Sequence, residues 1–102
     1  MIKTINNDEI ERYSRQIVLK DVGIVGQKKI LNSKILVVGA GGLGCPVIDI
    51  LTRSGAKNIT IADNDKVSLS NLHRQTMYNT FDIGKFKVDV IKKKIKKINP
   101  SS

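Results

Sequence analysis

The apolar run Lys34-Ile35-Leu36-Val37-Val38, followed at once by Gly39-Ala40-Gly41-Gly42-Leu43-Gly44, is the stretch of sequence that decides the fold. A short run of this kind before glycines is typical of a buried parallel strand that ends in a glycine-rich turn. The pattern then becomes helical over residues 43–54, with Gly55 as its stop, and residues 58–62 form a second β-branched run. Strand, helix and strand in this order predict a βαβ unit with a parallel pair of strands.

Length and composition limit what the rest of the chain can be. It has 102 residues, a formal net charge of +9, 40% hydrophobic residues and 26% charged residues. That is at most one small domain, and a near-average composition excludes collagen-like, low-complexity and wholly disordered chains. The apolar runs are far short of the roughly 20 residues of a membrane span, and the amino terminus lacks a secretory signal pattern. We therefore expect a soluble cytoplasmic protein without a membrane partner.

Helices are predicted on both sides of the βαβ unit. Asp8 is the expected cap of a helix running to about Leu19, and a short helix is expected over residues 27–31. A polar loop with short helical turns leads to Asp82, the expected cap of a last helix over residues 84–98, which buries Val88, Ile91, Ile95 and Ile98. The predicted fold class is α/β: an amino-terminal helical segment, 1–33, precedes a Rossmann-like βαβ nucleotide-binding unit, 34–102, that ends after two parallel strands.

Positive charge is concentrated in the last predicted helix. Residues 85–97 hold seven lysines against Asp89, a net +6 out of the total of +9. A basic helix can bind nucleic acid through phosphate contacts. No aromatic residue alternates with the later lysines and no recognition motif accompanies them, so a solvated helix face is favoured over a nucleic-acid partner.

The glycine-rich turn carries the first functional signal. Gly39, Gly41 and Gly44 have the G-x-G-x-x-G spacing between strand and helix, and Asp63 follows the next strand, 24 positions after Gly39. In such a motif the glycines permit a tight turn, a close approach of backbone to a nucleotide and close helix–sheet packing, while the carboxylate accepts ribose hydroxyls. A nucleotide ligand is predicted, and by itself the motif suggests an NAD-dependent enzyme.

Cations after the second strand favour a polyphosphate instead. Arg74 and Lys87 can neutralise a triphosphate, and Asn71 can donate hydrogen bonds to it, whereas the two phosphates of a dinucleotide sit mainly on the glycine-rich helix end.

The single histidine and the single cysteine have simpler interpretations than a role in chemistry. His73 has no second ligand at metal-binding spacing, and Cys45, which is alone and followed by Pro46, is expected to be a small packing residue.

Short motifs in a fixed order resemble those of the ThiF/MoeB/HesA adenylyltransferases, which are bacterial relatives of the ubiquitin-activating enzymes. The resemblance covers nearly the whole chain. The motifs are Arg12-Tyr13-Ser14-Arg15-Gln16-Ile17, the loop 39–44, Asp63-x-Asp65-x-Val67, Ser70-Asn71-Leu72-x-Arg74-Gln75 and Asp82-Ile83-Gly84-x-x-Lys87.

The resemblance implies that the chain binds ATP and adenylates the carboxy-terminal Gly-Gly of a ubiquitin-like sulfur carrier of the thiamin or molybdopterin type. Arg15 would reach the phosphates of the partner protomer's site in a homodimer, while Arg74 and Lys87 act within the chain's own site, so these three are the implied catalytic residues. The implied nucleotide-binding residues are Gly39, Gly41, Gly42, Gly44, Asp63, Asp65, Asn71, Arg74 and Lys87.

The sequence also departs from that family. It stops where a doubly wound fold would begin its third strand, so the ligand for Mg²⁺, which the resemblance implies beside ATP, is expected outside this chain. We expect an amino-terminal fragment, a truncated gene product or half of a split enzyme, and no carrier adenylation by this chain alone. Two alternatives stay open: an NAD-binding Rossmann module, and a catalytically inactive module that only dimerises or binds the carrier.

Overall fold

The computed structural model of the protein describes residues 5–102. The helices are α1 (Asn7–Arg12), α2 (Ser14–Ile17), α3 (Gly23–Asn32), α4 (Gly44–Ser54) and α5 (Lys87–Ile98). The strands are β1 (Lys34–Val38) and β2 (Asn58–Ala62), and two short 3-10 turns, Leu69–Asn71 and Thr80–Asp82, lie in the long loop before α5. None of the helices in this part of the chain is both long and apolar enough to cross a membrane.

The two strands form the predicted parallel pair. Their register runs from Lys34 opposite Asn58 to Val38 opposite Ala62. Because side chains alternate along a strand, one face of the sheet packs towards α4 and α5, while the other leaves Leu36 62% and Val38 78% exposed. The α/β fold class, with two parallel strands around a crossover helix, is confirmed.

The hydrophobic core lies between the sheet, α4, α5 and the long loop. It consists of Ala40, Cys45, Ile48, Val67, Met77, Tyr78, Val90, Ile91 and Ile95. Cys45 is fully buried there, which confirms its prediction as a packing residue. Loop residues thus fill the core beside the two strands, so the loop that follows β2 is held close to the glycine-rich turn.

Gly55 ends α4 as predicted, and two independent constraints require glycine there. Its φ of +107° is in the left-handed region that disfavours a side chain. An added Cβ would also lie 2.8 Å from Nε2 of Gln27 and 2.9 Å from Cζ of Tyr13. The end of α4 therefore packs tightly against the amino-terminal helices.

The prediction of one helix from Asp8 to about Leu19 is wrong. Asn6 is the cap: its Oδ1 accepts from the N–H of Glu9 at 2.9 Å, and Glu9 Oε1 accepts from the N–H of Asn6 at 3.1 Å. The helix is interrupted at Tyr13, whose buried hydroxyl accepts a hydrogen bond from Asn99 at 2.7 Å. This contact is 86 residues distant in sequence and lies outside the reach of helical periodicity.

The amino-terminal helices are tied to the βαβ unit by polar contacts. Gln16 and Gln27 both donate to the carbonyl of Ser54, at 2.7 and 3.0 Å. Glu9 forms a 2.8 Å ion pair with Lys57. Burial alone would raise the pKa of Glu9, but Lys57 and the N–H of Asn6 outweigh it, so this pKa is lowered.

The start of the last helix also differs from the prediction. It begins at Lys87 rather than at residue 84, and Phe86 is its cap residue. Asp82 does not cap it, because Asp82 Oδ2 accepts from the N–H of Asn79 at 2.8 Å and so closes the preceding 3-10 turn. The buried face includes Val90, Ile91 and Ile95, whereas Val88 and Ile98, predicted to be buried, are only half-buried.

Candidate nucleotide-binding site

The glycine loop leaves β1 in a turn that ordinary residues cannot follow. Gly39 has a φ of +96°. A Cβ on Gly44 would lie 2.0 Å from the carbonyl oxygen of Gly39, so the start of α4 rests directly on the end of the strand. The N–H groups of Gly41 and Gly42 donate to no atom within residues 5–102. A turn with free N–H groups before a helix favours an anion at this position.

Asp63 joins the ends of the two strands. Its Oδ2 accepts from the N–H of Ala40 at 2.7 Å, and its Oδ1 accepts from the N–H of Asp65 at 2.8 Å. Burial alone would raise the pKa of Asp63, but these two hydrogen bonds and the charge of Lys87 outweigh it, so the pKa is lowered. The carboxylate is therefore ionised at neutral pH, and each oxygen keeps acceptor capacity for a ligand hydroxyl.

Ala40 is a second point of attachment within the loop. Its carbonyl oxygen accepts from the Tyr78 hydroxyl at 2.6 Å and from the Cys45 thiol at 3.3 Å. Burial, reinforced by Cys45 and Asp63, raises the pKa of Tyr78, which stays a neutral donor. Sequence reasoning missed Tyr78, because it belongs to an aperiodic loop and only the fold shows that it supports the glycine turn.

Lys87 is brought to Asp63 by backbone pairing between two distant segments. The N–H of Lys87 donates to the carbonyl of Asp65 at 3.0 Å, and Lys66 pairs with Phe86 in an antiparallel bridge. The Lys87 side chain is only 4% exposed, and its ammonium lies 5.9 Å from the centre of the Tyr78 ring. A lysine 24 positions after Asp63 therefore contributes its charge at the same end of the sheet.

Arg74 packs against the glycine loop at Gly42. A Cβ on Gly42 would lie 2.7 Å from its Nη1, so the missing side chain of Gly42 makes room for the guanidinium. The 3-10 turn just before Arg74 contains Asn71, whose Oδ1 accepts from the Ser68 hydroxyl at 2.6 Å. That bond leaves the Asn71 amide hydrogens for another acceptor.

Three further residues stand apart from this cluster. Arg15 is exposed on α2 and has no side-chain partner in the part of the chain that is described. The Asp65 side chain is also exposed, although its backbone contacts both Asp63 and Lys87. Arg12 donates to the carbonyl of Ile98 at 3.1 Å. The site thus gathers the glycine loop, Asp63, Arg74 and Lys87, and leaves Arg15 facing outwards.

The described residues offer no cage for a metal ion. Across residues 5–102 there is no group of three or more His, Cys, Asp or Glu side chains that could hold one. Both oxygens of Asp63 already accept backbone hydrogen bonds. Mg²⁺ commonly relies on one or two carboxylates together with substrate oxygens, and residues 5–102 do not supply an evident set of such carboxylates.

The sequence pattern of the ThiF family matches residues 13–102. The chain belongs to the ThiF family. Among the relatives of this ThiF-family chain, the adenylyltransferase and sulfurtransferase MOCS3 of Drosophila virilis is 45% identical over 97 residues, which are 95% of this chain and 22% of that protein. A probable molybdopterin-synthase adenylyltransferase of Gracilaria tenuistipitata var. liui is 48% identical over 92 residues, 90% of this chain and 26% of that protein.

Solved structures show the same fold. The E. coli tRNA N6-threonylcarbamoyladenosine dehydratase TcdA in complex with ATP superposes with a TM-score of 0.89 at 29% identity, over 97% of this chain and 40% of TcdA. E. coli MccB with ATP superposes with a TM-score of 0.80 at 36% identity, over 88% of this chain and 28% of MccB. The ThiF-family chain thus spans between a fifth and two fifths of the length of these relatives.

Proposed function

We propose that this ThiF-family chain is the nucleotide-binding part of an ATP-dependent adenylyltransferase that activates the carboxy-terminal Gly-Gly of a ubiquitin-like sulfur carrier. The observation that carries the proposal is the convergence of four features at one end of the sheet. A glycine loop with free N–H groups, an ionised Asp63, and the cations of Arg74 and Lys87 meet where β1 and β2 end.

Each feature has a part in the proposed reaction. The loop and the start of α4 bind phosphate oxygens, and Asp63 accepts the ribose hydroxyls. The carrier carboxylate attacks the α-phosphorus of ATP, a bond to the carrier forms, and pyrophosphate leaves with the electrons of the broken bond. Negative charge grows on the phosphoryl oxygens and the leaving group, so fixed cations at Arg74 and Lys87 stabilise the transition state.

ATP is preferred to NAD in this proposal because of where the positive charge lies. Lys87 is buried and Arg74 rests on Gly42, so two cations border the loop in addition to its N–H groups. A dinucleotide places its two phosphates mainly on the helix end, so it requires the two additional cations less than ATP does. The ATP complexes of TcdA and MccB, which share this fold, support the same choice.

The carrier and the dimer are the finer parts of the proposal. The adenylyltransferase names of the relatives support adenylation of a small sulfur carrier. Arg15 is exposed and has no partner among the described residues, which leaves its guanidinium available to a second protomer. We propose that the chain acts as a homodimer in which Arg15 contacts the phosphates bound by the neighbouring protomer.

Calorimetric titration of the purified chain with ATP and with NAD tests the nucleotide. Loss of one charge-assisted contact costs about 1.5 to 3 kcal/mol, so Lys87→Ala and Arg74→Ala should each raise the Kd for ATP by roughly 10- to 150-fold. Lys96→Ala is the matched control, because it removes the same charge from an exposed site on the same helix. Tighter binding of NAD, or equal effects of Lys87→Ala and Lys96→Ala, would contradict the proposal.

Exchange of labelled pyrophosphate into ATP tests the reaction in an intact ThiF-family enzyme that carries this chain as its nucleotide-binding part, because the chain alone is not expected to adenylate a carrier. Exchange should require a ubiquitin-like carrier and disappear with a carrier that lacks its last two glycines. ATP binding without exchange, together with capture of the same carrier, would favour the inactive carrier-binding module instead.

A further inference from the structure

Gln75 is a buried polar residue beside the glycine loop, and it has no assigned role in the proposed reaction. Its side chain is 2% exposed. An ideal Cβ on Gly41 would lie 3.5 Å from its Nε2, so the carboxamide faces the loop at the second glycine of the motif. The adjacent residue, Arg74, packs on Gly42. Two consecutive side chains therefore rest on two consecutive glycines.

The oxygen of this carboxamide has no hydrogen-bond partner anywhere in residues 5–102. Other buried amides are satisfied: Gln27 bonds Ser54 and Gln16, and Asn99 bonds Tyr13 and Thr52. Burial of an unpaired acceptor costs free energy, and native proteins seldom leave one without a reason. The one at Gln75 lies next to a loop whose N–H groups at Gly41 and Gly42 are also unpaired.

We propose that Gln75 is a positioning residue for the nucleotide, and that its unpaired oxygen accepts a hydrogen bond from a donor group of the ligand only when ATP is bound. This rests on the proposed function, because it deepens the role of the same site. Because the N–H groups of Gly41 and Gly42 are assigned to the phosphates, the donor is a hydroxyl or amino group of the nucleotide, and rotation of the carboxamide about its last torsion can turn Oε1 towards it. The free protein then carries an unfavourable buried acceptor, and the complex releases that cost as binding energy.

Substitution of Gln75 by methionine distinguishes a positioning role from simple space filling. Gln75→Met preserves most of the volume and removes both polar atoms. In the free protein it removes an unpaired acceptor, so the melting temperature should stay unchanged or rise by a few degrees. In the complex it removes the new hydrogen bond, so the Kd for ATP should rise about 10-fold, the factor that corresponds to about 1.4 kcal/mol.

Gln27→Met is the matched control. Gln27 is equally buried, but its carboxamide is fully paired and lies at Ser54 and Gln16, where no part of the nucleotide site was found. The same substitution there should lower the melting temperature by about 4–8 °C, which is typical for a loss of one paired polar group in a domain of this size. The Kd for ATP should be unchanged.

Both measurements are made on the whole chain, by thermal unfolding without nucleotide and by calorimetric titration with ATP. Weaker ATP binding by Gln75→Met with an undiminished melting temperature supports the proposal. An unchanged Kd overturns it while leaving ATP binding intact. A Gln75→Met protein that is less stable or unfolded also overturns it, because Gln75 would then be structural. If the unsubstituted chain binds no ATP, the proposed function itself fails and this inference fails with it.

Discussion

Asp63→Asn should destabilise the protein through the backbone groups that Asp63 holds together. The carboxylate accepts from the N–H of Ala40 and of Asp65, at 2.7 and 2.8 Å. An asparagine amide has one oxygen and one NH₂ group, so it keeps one of these bonds and places a donor against the other N–H. Loss of one charge-assisted bond costs about 2 kcal/mol. At about 4–8 °C per kcal/mol, the melting temperature should fall by about 10 °C.

Asp65→Asn is the matched control for this change. It makes the same chemical substitution two residues along, at a side chain that is exposed and accepts no hydrogen bond among residues 5–102. Its free energy of unfolding should change by less than about 0.5 kcal/mol. Thermal unfolding monitored by circular dichroism, at neutral pH and fixed salt, compares the two variants with the unsubstituted protein.

The pH dependence gives a second measurement of the same bonds. Burial acts to raise the pKa of Asp63, but the two N–H groups and Lys87 lower it below its ordinary value. A lowered pKa in the folded state adds stability above the ordinary aspartate value of about 3.9, and this stability is lost as pH falls through the folded-state pKa. The difference between the protein and Asp63→Asn should therefore shrink below about pH 4. Equal stability of both asparagine variants at neutral pH would refute this account of Asp63.

Three other predictions concern the turn, the first helix and the dimer. Gly44→Ala should lower the free energy of unfolding by more than about 2 kcal/mol in a denaturant titration, because its Cβ would lie 2.0 Å from the Gly39 carbonyl oxygen; a fully stable variant would contradict that packing. Asn6→Ala should cost about 1 kcal/mol in the same titration through loss of the cap, and no change would show that α1 does not depend on it. In an intact enzyme that carries this chain, mixed subunits with Arg15→Ala and Lys87→Ala should recover activity in one site of each hybrid dimer, and absence of recovery despite subunit exchange would exclude action across the interface.

Local sequence patterns predicted the centre of the fold well. The bounds of β1 and β2 follow from two apolar runs, and Gly55 was recognisable as the stop of α4. These features depend on neighbours in sequence, for which side-chain periodicity and glycine conformation are sufficient guides. The motif spacing also pointed to Asp63, and the structure places its carboxylate at the ends of both strands, where it accepts from the N–H groups of Ala40 and Asp65.

The errors arise where hydrogen bonds that periodicity does not reveal, both distant and local, accompany the local structure. The first helix is interrupted at Tyr13, whose hydroxyl accepts from Asn99. Asp82 closes a 3-10 turn by accepting from Asn79, three residues before it. Tyr78 was overlooked, and Gln75 was noted only as part of a motif without a role. Both residues lie in an aperiodic loop, where no repeat of apolar residues indicates which side chains are buried. Only the folded structure shows that they are buried beside the glycine turn.

The buried charge of Lys87 is a second reason to expect a polyanionic ligand. Its side chain is 4% exposed, yet no carboxylate of the described residues lies within ion-pair distance of its ammonium. The ring of Tyr78 at 5.9 Å and the more distant charge of Asp63 compensate it only in part. Removing an ammonium from water is costly unless an anion replaces the lost solvation. Backbone pairing with Asp65 fixes this lysine in place, so a phosphate bound on the adjacent glycine loop, as proposed above, would compensate its charge without moving the fold.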